Sequence, residues 1–90
     1  MKKLTAERRV IATDLIEIGY KAMLDAMPYR REMYMTPHWR EYMGKYWKAE
    51  EGLQTLLGLS MTRANALLEK SKTLDDYFAA DGTPFKGRHL

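Results

Sequence analysis

The chain has no cysteine, two histidines and three prolines among its 90 residues. The absence of cysteine excludes a disulfide framework and fits a reducing compartment. No apolar run approaches the roughly 18–20 residues that span a bilayer. Charges at Glu7, Arg8, Arg9 and Asp14 interrupt the apolar stretch that a secretory signal would need after Met1. We therefore predict a cytoplasmic protein with no membrane partner.

Residues that commonly carry catalysis are also sparse. His38 and His89 do not stand at the spacing of a metal site or of a catalytic triad. Asp75 and Asp76 are adjacent, so on a helix they point to different sides and do not form a carboxylate pair. We expect no enzymatic activity, no metal and no cofactor.

Apolar residues make up 46% of the chain, and the formal net charge is +3. This composition suits a single domain with one small core. Ile11, Leu15 and Ile18 recur at the spacing of one helix face, so we expect them to be largely buried. Their helix is predicted to begin after a cap at Thr5 and to end at Pro28.

A second long helix is predicted to begin at Thr36-Pro37, a threonine cap followed by proline at the first helical position. Gly52 is expected to bend this helix or to split it in two. Thr73 and Asp76 have the spacing of a capping box for a short last helix. The predicted fold is all-α, a bundle of about five helices in residues 1–80, two long and three short, with a C-terminal tail at 81–90.

Residues 53–68 form the central unit of the chain. They contain two helical patterns joined by a tight turn at Gly58, Leu59 and Ser60. Leu53 and Leu57 lie on the apolar face of the first pattern. Gly58 suits the position just past a helix end, because glycine reaches positive φ without a Cβ penalty. Ser60 can cap the second helix by accepting a backbone N–H from its first turn.

This unit resembles the helix-turn-helix of bacterial and phage DNA-binding proteins. Gln54 stands where that family usually has alanine. The resemblance implies a small regulator of prokaryotic or phage type whose second helix docks in the major groove. Many such domains dimerise to read two half-sites, and the sequence leaves a homodimer open. The matching positions are Leu53, Leu57, Gly58, Leu59, Ser60, Ala64 and Leu67.

The resemblance also implies which side chains contact DNA. Arg63 could read guanine and Asn65 adenine, each through paired hydrogen bonds. The full set of expected DNA-binding residues is Ser60, Met61, Thr62, Arg63, Asn65 and Lys70.

The same stretch is similar to a second family, the helix-hairpin-helix, which grips the DNA backbone without reading sequence. Ser60 stands where this family has its second glycine, and Leu57 stands where it usually has proline. The resemblance implies that backbone N–H groups of the turn approach a phosphate. The matching positions are Leu56, Gly58, Leu59, Ala64, Leu67, Leu68, Thr73 and Leu74.

Residues 28–47 interleave aromatic rings with cations. Such a segment can stack bases and hold phosphates, or it can form a protein-binding surface. Trp39, Met43 and Tyr46 are expected to belong to the core. The alternative hypothesis is therefore a protein-interaction module, a small inhibitor or adaptor, whose partner surface is Tyr29, Arg30, Arg31, Tyr34, Arg40 and Tyr42.

Overall fold

The structure contains two long antiparallel helices. It is a computed structural model that describes residues 1–31 and 36–86. Helix α1 spans Ala6–Ala26 and is followed by a 3-10 turn at Met27–Tyr29, as the proline predicted. Helix α2 spans Pro37–Leu57. The all-α prediction is confirmed for the described residues, where the sole β feature is an isolated bridge between Phe78 and Pro84. None of the described helices is long and apolar enough to cross a membrane.

Small side chains lie where α1 meets its neighbours. Gly19 is buried, and a Cβ added there would lie 3.1 Å from the Cβ of Ala49 and would collide with Leu68. Ala12, Ala22 and Ala26 are buried on the same side of α1. The backbone of α1 can approach its neighbouring helices closely only where the side chains between them are small. Glycine and alanine therefore occupy the centre of the contact.

The prediction that Ile11, Leu15 and Ile18 form the buried row is wrong for both isoleucines. Ile11 is 48% exposed and Ile18 is 53% exposed, whereas Leu15 is half-buried and packs against the core. The spacing of apolar residues in the sequence selects the face of α1 with the largest apolar side chains. The actual contact is rotated toward Gly19, because the small residues let α2 and α3 approach there.

The count of about five helices is not confirmed. The described residues contain four α-helices and one 3-10 turn, because α2 runs through Gly52 without a break. A Cβ at Gly52 would lie 3.1 Å from Leu15 Cδ1, so this glycine gives Leu15 room to pack against α2.

Two short helices cover one end of the α1–α2 pair. Helix α3 spans Met61–Leu68, and helix α4 spans Leu74–Tyr77. The N–H of Thr73 donates to the Asp76 carboxylate at 2.7 Å, which confirms the predicted capping box and lowers the pKa of Asp76. The largest fully buried side chains all belong to this packed end: Leu53, Leu57, Leu67, Leu68, Tyr77 and Phe78.

The opposite end consists of the last turns of α1, the 3-10 turn and the first half of α2. We call residues 21–31 and 36–48 the two-helix end. Each long helix has 21 residues and is about 31 Å long, whereas α3 has eight residues and α4 has four. The described part of the chain is accordingly elongated, with principal extents of 44 × 25 × 16 Å.

The segment after residue 80 does not leave the fold where the tail was predicted. The N–H of Phe85 donates to Tyr77 O at 3.0 Å, and Gly82 is buried. Gly82 O accepts the N–H of Leu4 at 2.8 Å, so this segment holds the beginning of the chain in place. Residues 87–90 lie outside the described residues.

Substitution at Gly44 tests the effect of helix propensity alone, because a new side chain there would pack against nothing. It lies inside α2, and a Cβ there would meet nothing within 4 Å. Gly44→Ala is therefore expected to stabilise the protein by about 0.5–1 kcal/mol, because alanine loses less backbone entropy in a helix. Chemical denaturation of both proteins measures the difference, and a less stable variant would contradict the open surroundings of Gly44.

Candidate nucleic-acid interface

The turn between α2 and α3 has the conformation that its sequence predicted. Gly58 has φ 66° and ψ 34°, and its N–H donates to Gln54 O at 2.8 Å. Ser60 caps α3, since its hydroxyl accepts the N–H of Arg63 at 3.3 Å. Both assignments are confirmed. The turn fixes the direction of α3, whose first residues Met61 and Thr62 are exposed.

Asn65, the expected adenine reader, is used inside the fold. Its Oδ1 accepts a hydrogen bond from the Tyr46 hydroxyl at 2.9 Å, and the asparagine is half-buried. Burial of Tyr46 raises the pKa of its hydroxyl to about 12, and the carboxylates of Glu69 and Glu50 add to this effect. The phenol therefore keeps its proton at neutral pH and remains a donor to Asn65.

Arg63, the expected guanine reader, is also turned toward the protein. It is half-buried, and its guanidinium carbon lies 5.6 Å from the centre of the Tyr77 ring. Burial raises the pKa of Tyr77, and the charge of Arg63 acts against that rise. The arginine therefore links α3 to α4 through a cation–π contact.

The outer face of α3 carries a hydroxyl and a carboxylate beside a small apolar side chain. On this helix Thr62, Ala66 and Glu69 lie on the side away from the buried face, which consists of Ala64, Leu67 and Leu68. Glu69 brings a negative charge to that face, which would repel the phosphates on either side of a groove.

Lys70 is held against α1. Its backbone has φ 61°, a conformation that glycine usually occupies after a helix. Its Nζ lies 2.8 Å from Glu17 Oε1 and 4.4 Å from the centre of the Tyr20 ring. Of the six expected DNA-binding residues, four are exposed, Ser60, Met61, Thr62 and Lys70, although Ser60 also caps α3 and Lys70 pairs with Glu17. Arg63 and Asn65 are half-buried and contact Tyr77 and Tyr46.

A basic segment that sequence reasoning had not assigned to this interface lies beside the turn. The N–H of Lys2 donates to Leu57 O at 2.8 Å, and its Nζ donates to Thr55 O at 3.0 Å. Lys3 follows, and its carbonyl accepts a hydrogen bond from Arg8 Nη1 at 2.9 Å. The sequence marks this segment as basic, but only the long-range pairing with Leu57 brings it to the turn.

A cleft of about 330 Å³ lies between α1, α3 and α4. Two of its three cations, Arg9 and Lys70, face carboxylates, at 3.8 Å from Asp75 and 2.8 Å from Glu17 respectively. The third cation is Lys72. The lining thus has three cations against two carboxylates. No group of three or more potential metal-binding side chains occurs among residues 1–31 and 36–86.

The aromatic segment divides into two ring groups at the two-helix end. Tyr29 stacks on His38 at 5.1 Å and on Tyr42 at 6.1 Å between ring centres. Trp39 meets Trp47 edge to face at 5.9 Å. Both groups bring together α2 residues one or two turns apart.

The burial of these rings corrects the sequence prediction in part. Tyr46 is buried as expected, but Trp39 and Met43 are only half-buried. Tyr29 and Tyr42, expected on the exposed partner surface, are half-buried by stacking, whereas Trp47 is 47% exposed. Of the other predicted partner-surface residues, Arg30, Arg31 and Arg40 are exposed and Tyr34 lies outside the described residues.

Comparison with known proteins does not identify a family. No family model, curated protein or solved structure matches the chain.

Proposed function

We propose that the protein binds duplex DNA through the sugar–phosphate backbone, using the start of α3 and the adjoining basic segment. The observation that carries this proposal is the orientation of Arg63 and Asn65, which are engaged with Tyr77 and Tyr46. With these side chains occupied, α3 offers its first backbone N–H groups in preference to base-reading side chains. This mode corresponds to the helix-hairpin-helix resemblance more closely than to the helix-turn-helix one.

The helix start has the physical properties that phosphate binding requires. The first N–H groups of any α-helix have no partner within the helix, and the helix dipole makes this end positive. Ser60 accepts the N–H of Arg63, so Met61 and Thr62 remain as first-turn donors for a ligand. Lys2 lies beside the turn and adds positive charge, although its own Nζ also caps α2.

The wider role remains part of the proposal. The helix-turn-helix resemblance implies that the protein is a small DNA-binding regulator of prokaryotic or phage type. Such a regulator would act in the cytoplasm, and the resemblance leaves a homodimer open. Backbone binding without base reading would give such a regulator affinity for DNA in general. Any sequence preference would then arise from DNA shape or from a second protein.

Binding of labelled 20-base-pair duplexes at several salt concentrations tests the proposal. We expect affinity to fall steeply as salt rises and to be similar for unrelated sequences, because phosphates supply the contacts. Selection from a randomised duplex pool should enrich no sequence with either wild type or Arg63→Ala. A base-reading Arg63 would instead be worth about 1–3 kcal/mol at one position, so enrichment by wild type that Arg63→Ala abolishes would contradict the proposal.

A further inference from the structure

Helix α1 has apolar side chains on its outer side as well as on its inner side. The inner side packs against α2 and α3 through small residues such as Gly19. On the outer side, four large apolar side chains are exposed: Val10, Ile11, Ile18 and Leu24. Val10 is 63% exposed, more than any other large apolar side chain among the described residues. A helix that is apolar on opposite sides is normally covered on both, so we expect this side of α1 to have an occupant.

The exposed apolar residues surround two charged ones. Asp14, Ile18 and Lys21 are separated by four and three residues, so they lie in one row along the helix. Val10 lies four residues before Asp14, and Leu24 lies three residues after Lys21, which extends this surface in both directions. We call the surface the outer face of α1, and it consists of Val10, Ile11, Asp14, Ile18, Lys21 and Leu24.

The two charges of the outer face stand at equal distances from its middle, which lies between residues 17 and 18. Asp14 forms no ion pair within the part of the chain that the structure describes. Lys21 Nζ lies 2.8 Å from Asp25, and the lysine side chain is 77% exposed. An ammonium group has three donors, so Lys21 can keep Asp25 and also meet a second carboxylate. The neighbouring carboxylate of Glu17 is already held by Lys70.

We propose that a second copy of this chain covers the outer face of α1, with the two α1 helices antiparallel and related by a two-fold axis between residues 17 and 18. Asp14 of each copy then lies opposite Lys21 of the other copy. The two Ile18 side chains meet beside the axis, and Val10 of each copy lies opposite Leu24 of the other. The midpoints of these three pairs along the chain lie within one residue of each other, so a single axis brings all of them together.

This self-complementarity favours a second copy over an unrelated protein. In a two-fold interface every contact occurs twice, so the surface must be complementary to itself. A uniformly acidic or basic partner would meet one attractive and one repulsive charge on the outer face. The antiparallel pair of α1 helices instead matches both charges and buries the exposed apolar side chains between them.

The size of the outer face sets the expected strength of the dimer. Residues 10–24 extend about 21 Å along the helix. One face of one helix is smaller than the about 800 Å² that each partner buries in a standard complex, so the dimer should dissociate at micromolar concentrations. A dimer through α1 goes beyond the proposed function, because it requires no DNA and leaves the start of α3 free.

Sedimentation equilibrium of the full chain without DNA, over about a hundredfold range of concentration, measures the dimer. Ile18→Asp should weaken dimerisation by about tenfold or more, because it places two carboxylates together beside the axis. Met27→Asp is the matched control, since Met27 is 47% exposed and lies outside the outer face. Its dimerisation should equal that of wild type. Circular dichroism must confirm that both variants are folded.

Reversal of the charges tests the antiparallel register and keeps the test valid if Ile18→Asp does not fold. Asp14→Lys and Lys21→Asp should each weaken self-association by about tenfold, because two attractive pairs become two repulsive pairs. An equimolar mixture of these two variants should associate again, because one copy then offers two cations and the other two carboxylates.

Three outcomes would overturn the inference. They are a wild-type protein that is monomeric at every concentration, a folded Ile18→Asp protein that dimerises as well as wild type, and a mixture of the charge variants that associates no better than either alone. Because these measurements contain no DNA, they are independent of the contact proposed at α3.

Discussion

Replacing Met61 with proline is expected to weaken duplex binding by about 1.5–3 kcal/mol, the value of one hydrogen bond to a charged group. Met61 is the first residue of α3, and proline there removes a backbone N–H without removing any bond within the helix. If a phosphate accepts that N–H, the variant loses the contact directly. If base edges were read by Arg63 and Asn65, the same change would have little effect.

The local backbone makes this a clean substitution. Ser60 has φ −70° and ψ 162°, the extended conformation that a residue before proline prefers. The Met61 side chain is 58% exposed, so its loss should disturb the core little. Met61→Ala is the matched control, because it removes the same side chain and keeps the N–H. Equal duplex affinities for the proline and alanine variants, measured at one salt concentration, would exclude this N–H from the interface.

Among the substitutions considered, replacing Gly82 with alanine is expected to reduce the free energy of unfolding most. Gly82 has φ 88°, and a Cβ there would collide with the carbonyl oxygen of Leu4. Backbone strain in such a conformation costs about 1–3 kcal/mol, and the collision adds to that cost. Because Gly82 O also accepts the N–H of Leu4 at 2.8 Å, the variant should loosen the beginning of the chain.

Thermal unfolding of Gly82→Ala and of a matched control variant tests this prediction. For a domain of this size each kcal/mol should lower Tm by about 4–8 °C. Gly44→Ala is the same chemical change in open space, and it should raise Tm. A Gly82→Ala protein as stable as wild type would mean that Leu4 does not pack against Gly82 in solution.

Local sequence was sufficient for the starts of α1, α2 and α4 and for the turn at Gly58 and Ser60. These features depend on residues within about four positions of one another, where glycine conformation, capping and proline geometry act directly. The capping box at Thr73 and Asp76 was predictable for the same reason. Gly52 was misjudged because the contact that accommodates it comes from Leu15, on another helix.

The orientation of the candidate interface could not be derived in the same way. Arg63 and Asn65 have the side chains of base readers, and only their contacts with Tyr77 and Tyr46 turn them inward. Those contacts join residues 14 and 19 positions apart along the chain. Lys2 reaches the turn by a pairing with Leu57 that no local pattern encodes.

The sequence by itself determined an all-α chain, the Gly58–Ser60 turn and a concentration of cations and rings in residues 28–47. Tertiary structure decided which face of α1 is buried, because backbone approach at Gly19 excludes the larger Ile11 and Ile18 from the centre of the contact. It also decided which of the candidate DNA-binding side chains remain in solvent. Exposure depends on which helices meet, and that is a property of the assembled fold and of no single segment.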